Sequence, residues 1–305
     1  MTYRGRFAPS PSGPLHFGSM VAAIGSWCDA RAHGGVWQLR IDDLDPPRIA
    51  PGAIDSILRC LEAFSLTWDG EVVYQSRRSE AYHATLHRLR EAKRVFPCGC
   101  SRRDVLEAPG ETAGTPVYPG TCRGGLPPGR PARAQRLRVD DVTIGFDDLL
   151  QGRIEQRLAA SVGDFVLYRA EHVYAYHLAC VVDDAEEGVS CVVRGADLID
   201  STPRQIYLQR LLGLPTPQYL HLPIAVDPSG QKLSKQTLAH PVDPGNATAV
   251  LHAVLRFLGQ QPGGELSGAA PAELLRSAVS AWSRARLPRS HSITLGPQGA
   301  SGAPW

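Results

Sequence analysis

Apolar and polar positions along the first third of the chain alternate between strand spacing and helix spacing. Residues 4–8 and 37–41 show the alternation of short strands, whereas residues 19–32 and 54–64 carry apolar side chains on one helical face. A third helix is predicted to begin near Ser79. The order strand, helix, strand, helix is typical of a parallel sheet covered by helices. The pattern therefore predicts an α/β fold.

The same alternation returns in the second half of the chain. A helix is predicted at 174–183, a strand at 189–194, a helix over 202–213 with Thr202 as its N-cap, and a strand near 219–226. Residues 97–158, which separate the two halves, are rich in loops. We therefore predict an α/β core that is divided by an insertion.

The predicted boundaries follow from this change of pattern. We place the core at residues 1–96 and 159–245 and the insertion at residues 97–158. Residues 246–305 contain one or two helical stretches and end in a tail rich in Gly, Pro and Ser. This last region is expected to be a short helical unit with a frayed, disordered end.

The composition agrees with a turn-rich globular protein. Of the 305 residues, 30 are Gly and 25 are Pro, while 43% are hydrophobic and 20% are charged. The formal net charge is only +2, so attraction to a polyanion depends on local clusters of basic residues. One such cluster lies between residues 121 and 138, which include no acidic residue and five arginines: Arg123, Arg130, Arg133, Arg136 and Arg138.

Hydropathy gives no sign of a membrane protein. No stretch reaches the ~18 to 20 uninterrupted apolar residues that cross a bilayer, and the first residues lack the apolar run of a signal peptide. We expect a cytoplasmic protein with no membrane partner and, by default, a monomer.

Three of the seven cysteines lie close together in the sequence, which in a reducing compartment favours metal binding over disulfides. Cys98, Cys100 and Cys122 fit a structural zinc site, and tetrahedral zinc needs a fourth ligand. By ligand chemistry a histidine or carboxylate is a better ligand than a phenol, whose pKa is near 10. The candidates for the fourth ligand are His83, His87, Asp104, Glu107 and Tyr118.

Small residues and prolines fill residues 9–19, between the first predicted strand and the first predicted helix. In α/β folds, phosphates bind at such places, where a strand ends and the N-terminus of a helix offers unpaired N–H groups. Gly13 and Gly18 allow a close backbone approach, and His16 can donate a hydrogen bond to an anionic oxygen. Taken alone, the segment is also typical of an ordinary turn.

A second candidate segment follows the last predicted strand of the core. In Gly-Gln-Lys-Leu-Ser-Lys, residues 230–235, two ammonium groups flank one hydroxyl group. Taken alone, this is typical of a solvated charged loop.

Together the two segments resemble the paired signatures of class I aminoacyl-tRNA synthetases, His-Ile-Gly-His and Lys-Met-Ser-Lys-Ser. They stand here as His-Phe-Gly-Ser at 16–19 and Lys-Leu-Ser-Lys-Gln at 232–236, so that a Ser and a Gln replace the last residue of each signature. Residues 6–13, 40–45 and 193–198 resemble the glutamyl-tRNA synthetase group in particular.

This resemblance covers about residues 3–240. It implies a Rossmann-like parallel-sheet nucleotide-binding core, split by a zinc-containing insertion and followed by a short helical C-terminal region. The implied reaction is attack of an amino-acid carboxylate on the α-phosphate of ATP, which gives an aminoacyl-adenylate and pyrophosphate. Such catalysis depends on alignment and on stabilisation of phosphate charge, for which a histidine and lysines are suited.

The resemblance also implies site residues. Catalysis is expected from His16, Lys232 and Lys235. ATP is expected to contact His16, Gly18, Ser19, Lys232, Ser234 and Lys235, with Mg²⁺ bound to the nucleotide. L-glutamate is expected to contact Arg6, Phe7, Ala8, Pro9, Ser10, Asp42, Tyr176 and Arg194. Arginines suit a dicarboxylic substrate because a planar guanidinium binds carboxylates bidentately. Many family members have Glu at the position of Asp42, one methylene longer.

For the metal, the resemblance to short paralogues of glutamyl-tRNA synthetase implies one structural Zn²⁺ held by Cys98, Cys100, Tyr118 and Cys122. This assignment replaces the ranking from ligand chemistry alone.

The length of the chain distinguishes between the members of this family that it resembles. Only 60 residues follow Gly245, too few for the anticodon-binding region of a glutamyl-tRNA synthetase. The resemblance to truncated paralogues implies tRNA-independent activation of glutamate and its transfer to the queuosine base in the anticodon of tRNA(Asp). The arginine cluster would then face the anticodon arm, or serve only solubility. The alternatives are a truncated glutamyl-tRNA synthetase that charges the 3′ end of tRNA(Glu), and a non-catalytic regulatory protein built on a synthetase fold.

Overall fold

The computed structural model describes residues 2–108, 117–232, 240–261 and 268–296, and these form an α/β protein. The strands are β1 (Arg4–Phe7), β2 (Val36–Ile41), β3 (Val73–Tyr74), β4 (Val95–Cys98), β5 (Ala134–Leu137), β6 (Thr143–Asp148), β7 (Gly152–Arg157), β8 (Val166–Tyr168), β9 (Cys191–Gly195), β10 (Gln218–Leu222), β11 (Ile224–Val226) and β12 (Ser292–Thr294). The helices are α1 (Phe17–Ala32), α2 (Ala53–Ala63), α3 (Ser79–Glu91), α4 (Arg102–Leu106), α5 (Leu158–Ser161), α6 (Tyr176–Glu186), α7 (Thr202–Leu212), α8 (Ala247–Phe257) and α9 (Pro271–Ala281).

Parallel strands from both halves of the chain form the core. Strands β1, β2 and β3 are paired in that order, and β9 pairs with β10, all in parallel. β9 lies beside β1, because the N–H of Ser190 donates to the carbonyl of Arg4 at 3.0 Å. The predicted α/β core with a parallel sheet is therefore confirmed. The carboxyl ends of these parallel strands, which come from two distant parts of the chain, lie at one edge of the sheet.

Helix α1 packs closely against this sheet. Met20 and Ile24 on α1 are fully buried, as is Trp37 on β2, and burial of such side chains contributes roughly 1.5–3 kcal/mol each. A Cβ atom at Gly25 would lie 2.4 Å from a methyl carbon of Leu222. This close approach places the middle of α1 directly against the end of β10.

The segment predicted as loop-rich contains more strand than its sequence indicates. β6 and β7 form a hairpin within it, and β5 pairs in an antiparallel sheet with β4 and β8, which lie at and beyond its borders. In β6 every second side chain is buried, including Ile144 and Phe146, and that alternation is a strand signal that the prediction missed. β7 has no such signal because three of its six residues are charged and most of the strand is exposed.

Other boundaries differ by a few residues. Thr202 is the first residue of α7 rather than its N-cap, since a 3-10 helix over Ala196–Ser201 leads directly into it. The helix ends as predicted at Gly213, whose φ of 67° favours glycine. The strand predicted near 219–226 is divided into β10 and β11 at Pro223, which has no N–H to donate.

The C-terminal region is joined to the core. Helices α8 and α9 confirm the predicted helical stretches, and β12 pairs in parallel with β11, which the sequence did not predict. The final residues, 297–305, lie outside the described part, and the proposed division into domains stays a prediction. None of the helices in the described ranges combines the length and apolar content needed to span a membrane.

Candidate active site

A cavity of about 190 Å³ lies where the carboxyl ends of β1, β2 and β9 meet the turn before α1. In open α/β sheets, ligands bind at this edge. The cavity brings together ten of the residues predicted for the site: Arg6, Phe7, Ala8, His16, Gly18, Ser19, Asp42, Tyr176, Arg194 and Lys232.

The remaining predicted residues lie elsewhere. Ser10 lines a neighbouring cavity of about 320 Å³, which shares Asp42 and Tyr176 with the first. Pro9 lines neither cavity, but its carbonyl accepts a hydrogen bond from the N–H of Asp42 at 3.0 Å. Ser234 and Lys235 fall in residues 233–239, outside the described part of the chain.

His16 is the N-cap of α1. The N–H of Ser19 donates to His16 Nδ1 at 3.3 Å, and the side chain is largely buried, with 9% exposure. Because Nδ1 accepts, a neutral ring carries its proton on Nε2, the tautomer that can donate to an anionic oxygen. Gly13, in the same turn, has a φ of 142°, a conformation that favours glycine. The turn therefore places a donor and a helix N-terminus at one end of the cavity.

Lys232 reaches the cavity from the turn that follows β11. Its Nζ lies 2.5 Å from Asp197 Oδ2, and both residues line the cavity. Gly195, two residues before Asp197, leaves no room for a side chain, since a Cβ atom on it would lie 2.4 Å from Asp197 Oδ1. Asp197 was not predicted as a site residue, although it belongs to the segment 193–198 on which the resemblance rests.

Arg194, at the end of β9, is buried and makes hydrogen bonds to neutral groups. Its guanidinium donates to His221 Nε2 at 3.1 Å, to Thr202 Oγ1 at 2.8 Å and to Tyr176 Oη at 3.3 Å. Among the described residues no carboxylate forms an ion pair with it, in contrast to Arg6 and Arg40. A buried cation that lacks a carboxylate partner and lines a cavity is suited to bind an anionic ligand.

Arg6 and Arg40 belong to a buried charge network under the same cavity. Arg6 Nε lies 3.2 Å from Asp184, and Arg40 contacts Asp184 and Glu187 at 2.7 Å and Asp42 at 2.9 Å. Burial raises the pKa of Asp42 to about 6, although Arg40 opposes this shift. Asp184 was not predicted. It lies on α6, far from both arginines in sequence, and only the tertiary structure brings it to them.

The three clustered cysteines converge in the insertion. The sulfur atoms of Cys98, Cys100 and Cys122 lie within 4.8 Å of one another and are buried, and no His, Asp or Glu in the described ranges joins this group. Cys100 Sγ and Cys122 Sγ are 3.7 Å apart, and Tyr118 Oη is 3.4 Å from Cys98 Sγ. Tetrahedral zinc with bonds of about 2.3 Å to sulfur requires ligand atoms separated by roughly 3.8 Å. The cluster can therefore hold a metal ion.

The fold and the cavity define a class of protein. Residues 2–262 match the family model described as the catalytic domain of class I tRNA synthetases (E and Q). The chain also superposes on a glutamate tRNA ligase from Elizabethkingia meningosepticum CCUG26117, solved in complex with its amino acid, with a TM-score of 0.77 and 23% identity. The alignment covers 95% of this chain and 66% of that one, and it supports the fold alone.

Curated proteins that are similar over nearly the full length of the chain identify a particular group within this class. "Glutamyl-Q tRNA(Asp) synthetase" of Dechloromonas aromatica (strain RCB) is 54% identical over 96% of this chain and 98% of its own. Proteins of the same name from Thiobacillus denitrificans (strain ATCC 25259 / T1) and Burkholderia cenocepacia (strain HI2424) are 52% and 54% identical, with at least 94% of each chain covered. The chain therefore belongs to the class I synthetases for glutamate and glutamine, and within them to the group that carries this name.

Proposed function

We propose that the protein is an enzyme that activates L-glutamate with ATP, without tRNA, and transfers the glutamate to the queuosine base in the anticodon of tRNA(Asp). One observation carries the choice of amino acid: the buried guanidinium of Arg194, without a carboxylate partner among the described residues, shares one cavity with His16 and Lys232. The tRNA acceptor is supported by the name of relatives that match almost the full length of the chain.

The first step forms a bond between a carboxylate oxygen of glutamate and the α-phosphorus of ATP. The bond from that phosphorus to the bridging oxygen of the β-phosphate breaks, and pyrophosphate leaves with its electron pair. In the second step a hydroxyl of the queuosine cyclopentenediol attacks the activated carbonyl, loses its proton and displaces AMP. The protein supplies no nucleophile and acts by alignment and by stabilising phosphate charge.

We assign the residues at one end of the cavity to the binding of glutamate. Arg194 binds the side-chain carboxylate of glutamate, and Asp42 accepts from its ammonium group. Tyr176 lies along the substrate, and residues 6–10 contribute backbone and side-chain contacts around Arg6. Because Asp184 already pairs with Arg6, Arg194 is the stronger of the two candidates for the substrate carboxylate.

The phosphates of ATP occupy the other end of the cavity. His16 donates to the phosphates from Nε2, and the Gly18 backbone and the Ser19 side chain lie beside it at the N-terminus of α1. Lys232 exchanges its contact with Asp197 for a phosphate oxygen, and Ser234 and Lys235 follow it in sequence. Magnesium arrives with the nucleotide.

For the insertion, we propose one structural Zn²⁺ held by Cys98, Cys100, Cys122 and Tyr118. The donor set fits zinc because the three buried sulfur atoms lie within 4.8 Å of one another, those of Cys100 and Cys122 are 3.7 Å apart, and the phenol oxygen lies 3.4 Å from Cys98 Sγ. A bound ion fixes the two segments that supply these ligands, residues 98–100 and 118–122. The arginine cluster around this site is proposed to contact the anticodon arm, which makes tRNA binding sensitive to salt.

Replacing Cys100 with serine is expected to remove most of the bound zinc and to lower the melting temperature by about 5 °C or more, because a structural metal contributes directly to folding. Zinc content by mass spectrometry and thermal unfolding check this. Cys60→Ser is the matched control, since Cys60 is also buried but lies outside the cluster. Full zinc content in Cys100→Ser would contradict the assignment.

The pKa of Asp42 predicts a pH dependence. The carboxylate must be ionised to accept from the ammonium group, and burial raises its pKa to about 6. Asp42 is therefore charged above pH 6 and neutral below it. We expect kcat/KM for glutamate to fall about tenfold per pH unit below that point. The Asp42→Asn variant should have low activity at pH 7 and lack this acidic limb. If kcat/KM of the variant fell in the same way below pH 6, Asp42 would not be the group that causes the decrease.

Two assays test the proposed function. The first is glutamate-dependent exchange of labelled pyrophosphate into ATP without tRNA, which is expected to occur. The second uses labelled glutamate and queuosine-containing tRNA(Asp) from which the 3′-terminal CCA has been removed. Label is expected in the anticodon fragment after ribonuclease digestion. A parallel reaction with intact tRNA(Glu) is the comparison. Label at the 3′ end of tRNA(Glu) and none in tRNA(Asp) would establish the truncated-synthetase alternative, and no exchange with any tRNA would favour a non-catalytic protein.

A further inference from the structure

The side chain of Arg194 is connected to the insertion by a chain of buried hydrogen bonds. Arg194 Nε donates to His221 Nε2 at 3.1 Å, and His221 Nδ1 lies 2.6 Å from Asp148 Oδ2. The side chains of His221 and Asp148 are both 0% exposed. Asp148 is the last residue of β6 and His221 lies in β10, so the chain crosses from the insertion to the core.

The partners of His221 determine which nitrogen carries its proton. Burial lowers the pKa of His221, so the ring is neutral at pH 7 and has a single N–H. A guanidinium can only donate, and Nε2 must therefore accept from Arg194. The proton then lies on Nδ1 and is donated to Asp148. Burial opposes ionisation of Asp148, but hydrogen bonds from His221 and from backbone amides outweigh it and lower its pKa.

The rest of the surroundings holds this arrangement in place. The N–H groups of Leu150 and Gln151 donate to Asp148 Oδ1 at 3.0 and 2.9 Å, which fixes the carboxylate. The His221 ring is stacked on Tyr219, with an angle of 7° between the ring planes. Arg194 also lies over Tyr219, 5.6 Å from the ring centre.

We propose that Asp148 and His221 are positioning residues that orient the Arg194 guanidinium for the side-chain carboxylate of glutamate. Asp148 acts through the tautomer of His221 and touches no substrate. Its negative charge stabilises the buried arginine at a distance of one imidazole ring, so that no carboxylate competes with the substrate for the guanidinium. This inference rests on the proposed function, since it assigns the selection of glutamate to the same cavity.

The Asp148→Asn substitution tests the proposal with almost no change in shape. The amide oxygen can still accept from the Leu150 and Gln151 backbones, but the amide nitrogen then faces His221 Nδ1 and donates to it. The histidine proton must move to Nε2, where it opposes the N–H of Arg194. We expect kcat/KM for glutamate to fall about tenfold or more. The ratio of kcat/KM for glutamate to that for glutamine should fall by about the same factor, with KM for ATP nearly unchanged.

A second variant and a matched control separate positioning from stability. His221→Asn keeps a donor to Asp148 but removes the acceptor for Arg194, and it should lower the glutamate preference to a similar extent. Asp164→Asn is the control, because Asp164 is also buried and accepts from the Val139 backbone at 2.8 Å, but it has no contact with Arg194. It should leave the preference for glutamate unchanged.

Histidine ¹⁵N NMR gives a readout that does not depend on activity. The unmodified protein should show His221 protonated on Nδ1, and Asp148→Asn should show it protonated on Nε2. An unchanged glutamate preference in both Asp148→Asn and His221→Asn, or the Nε2 tautomer in the unmodified protein, would overturn the positioning role. Absence of glutamate-dependent exchange in the unmodified protein would instead contradict the proposed function, while the tautomer measurement still judges the hydrogen-bond chain.

Discussion

Replacing Arg194 with alanine is expected to reduce kcat/KM for glutamate in pyrophosphate exchange by about 30-fold to several thousand-fold. Truncation of one partner in a buried charged hydrogen bond costs roughly 2–5 kcal/mol, and each 1.4 kcal/mol corresponds to a factor of ten. The loss should appear in KM for glutamate and in kcat, while KM for ATP stays nearly the same. The physical reason is that the substrate carboxylate loses its buried cation.

Two further variants make this result specific. Arg194→Lys keeps the positive charge but loses the planar pair of donors, so it should recover only a small part of the lost activity. Arg153→Ala removes an exposed arginine that pairs with Asp147 and Glu155 on the β6–β7 hairpin, and it should behave like the unmodified protein. Equal losses for ATP and glutamate in Arg194→Ala would indicate a general structural defect instead.

The His16→Asn substitution is expected to lower kcat for exchange by about 10²–10³, the usual effect of removing one donor to a developing negative charge. Asparagine is among the best N-cap residues, so the hydrogen bond to the Ser19 N–H and the stability of α1 should be preserved. The donor that His16 carries on Nε2 is lost. Exchange kinetics together with thermal unfolding check this expectation.

The His16→Ala variant measures how much His16 contributes to stability as the N-cap of α1. It should show a similar loss of kcat and, in addition, a stability loss of about 1 kcal/mol, because alanine cannot cap the helix. If His16→Asn retained full kcat, the histidine would be only a helix cap and the phosphate site would have to lie elsewhere.

Hydrophobic spacing predicted the main strands and helices of the core, but several short or exposed strands were missed. The apolar faces of α1 and α2 and the alternation in β2 gave the parallel sheet, because each element buries one periodic set of side chains. β7 is charged and mostly exposed, and β12 is only three residues long, so neither has a period that sequence can reveal. Both are specified by the strands with which they pair.

The candidate site divides in a similar way. Arg6, His16, Asp42, Arg194 and Lys232 were found because they stand in short motifs, and the fold brings all five to one cavity. The side chains that contact these residues and fix their positions were not predicted from the sequence.

Those supporting groups come from distant parts of the chain. Asp184 lies 144 residues from Arg40, which it contacts, and Asp148 lies 73 residues from His221. Tertiary structure alone brings such pairs together.

The most direct test of the account is a crystal structure with a non-hydrolysable analogue of glutamyl-adenylate. We predict that the side-chain carboxylate of the analogue contacts the Arg194 guanidinium and that its phosphate lies within hydrogen-bond distance of His16, with both groups in the cavity between β1 and β9. An analogue bound at another surface, or one whose carboxylate lies away from Arg194, would contradict the central claim that the two halves of the core form a single site for ATP and glutamate.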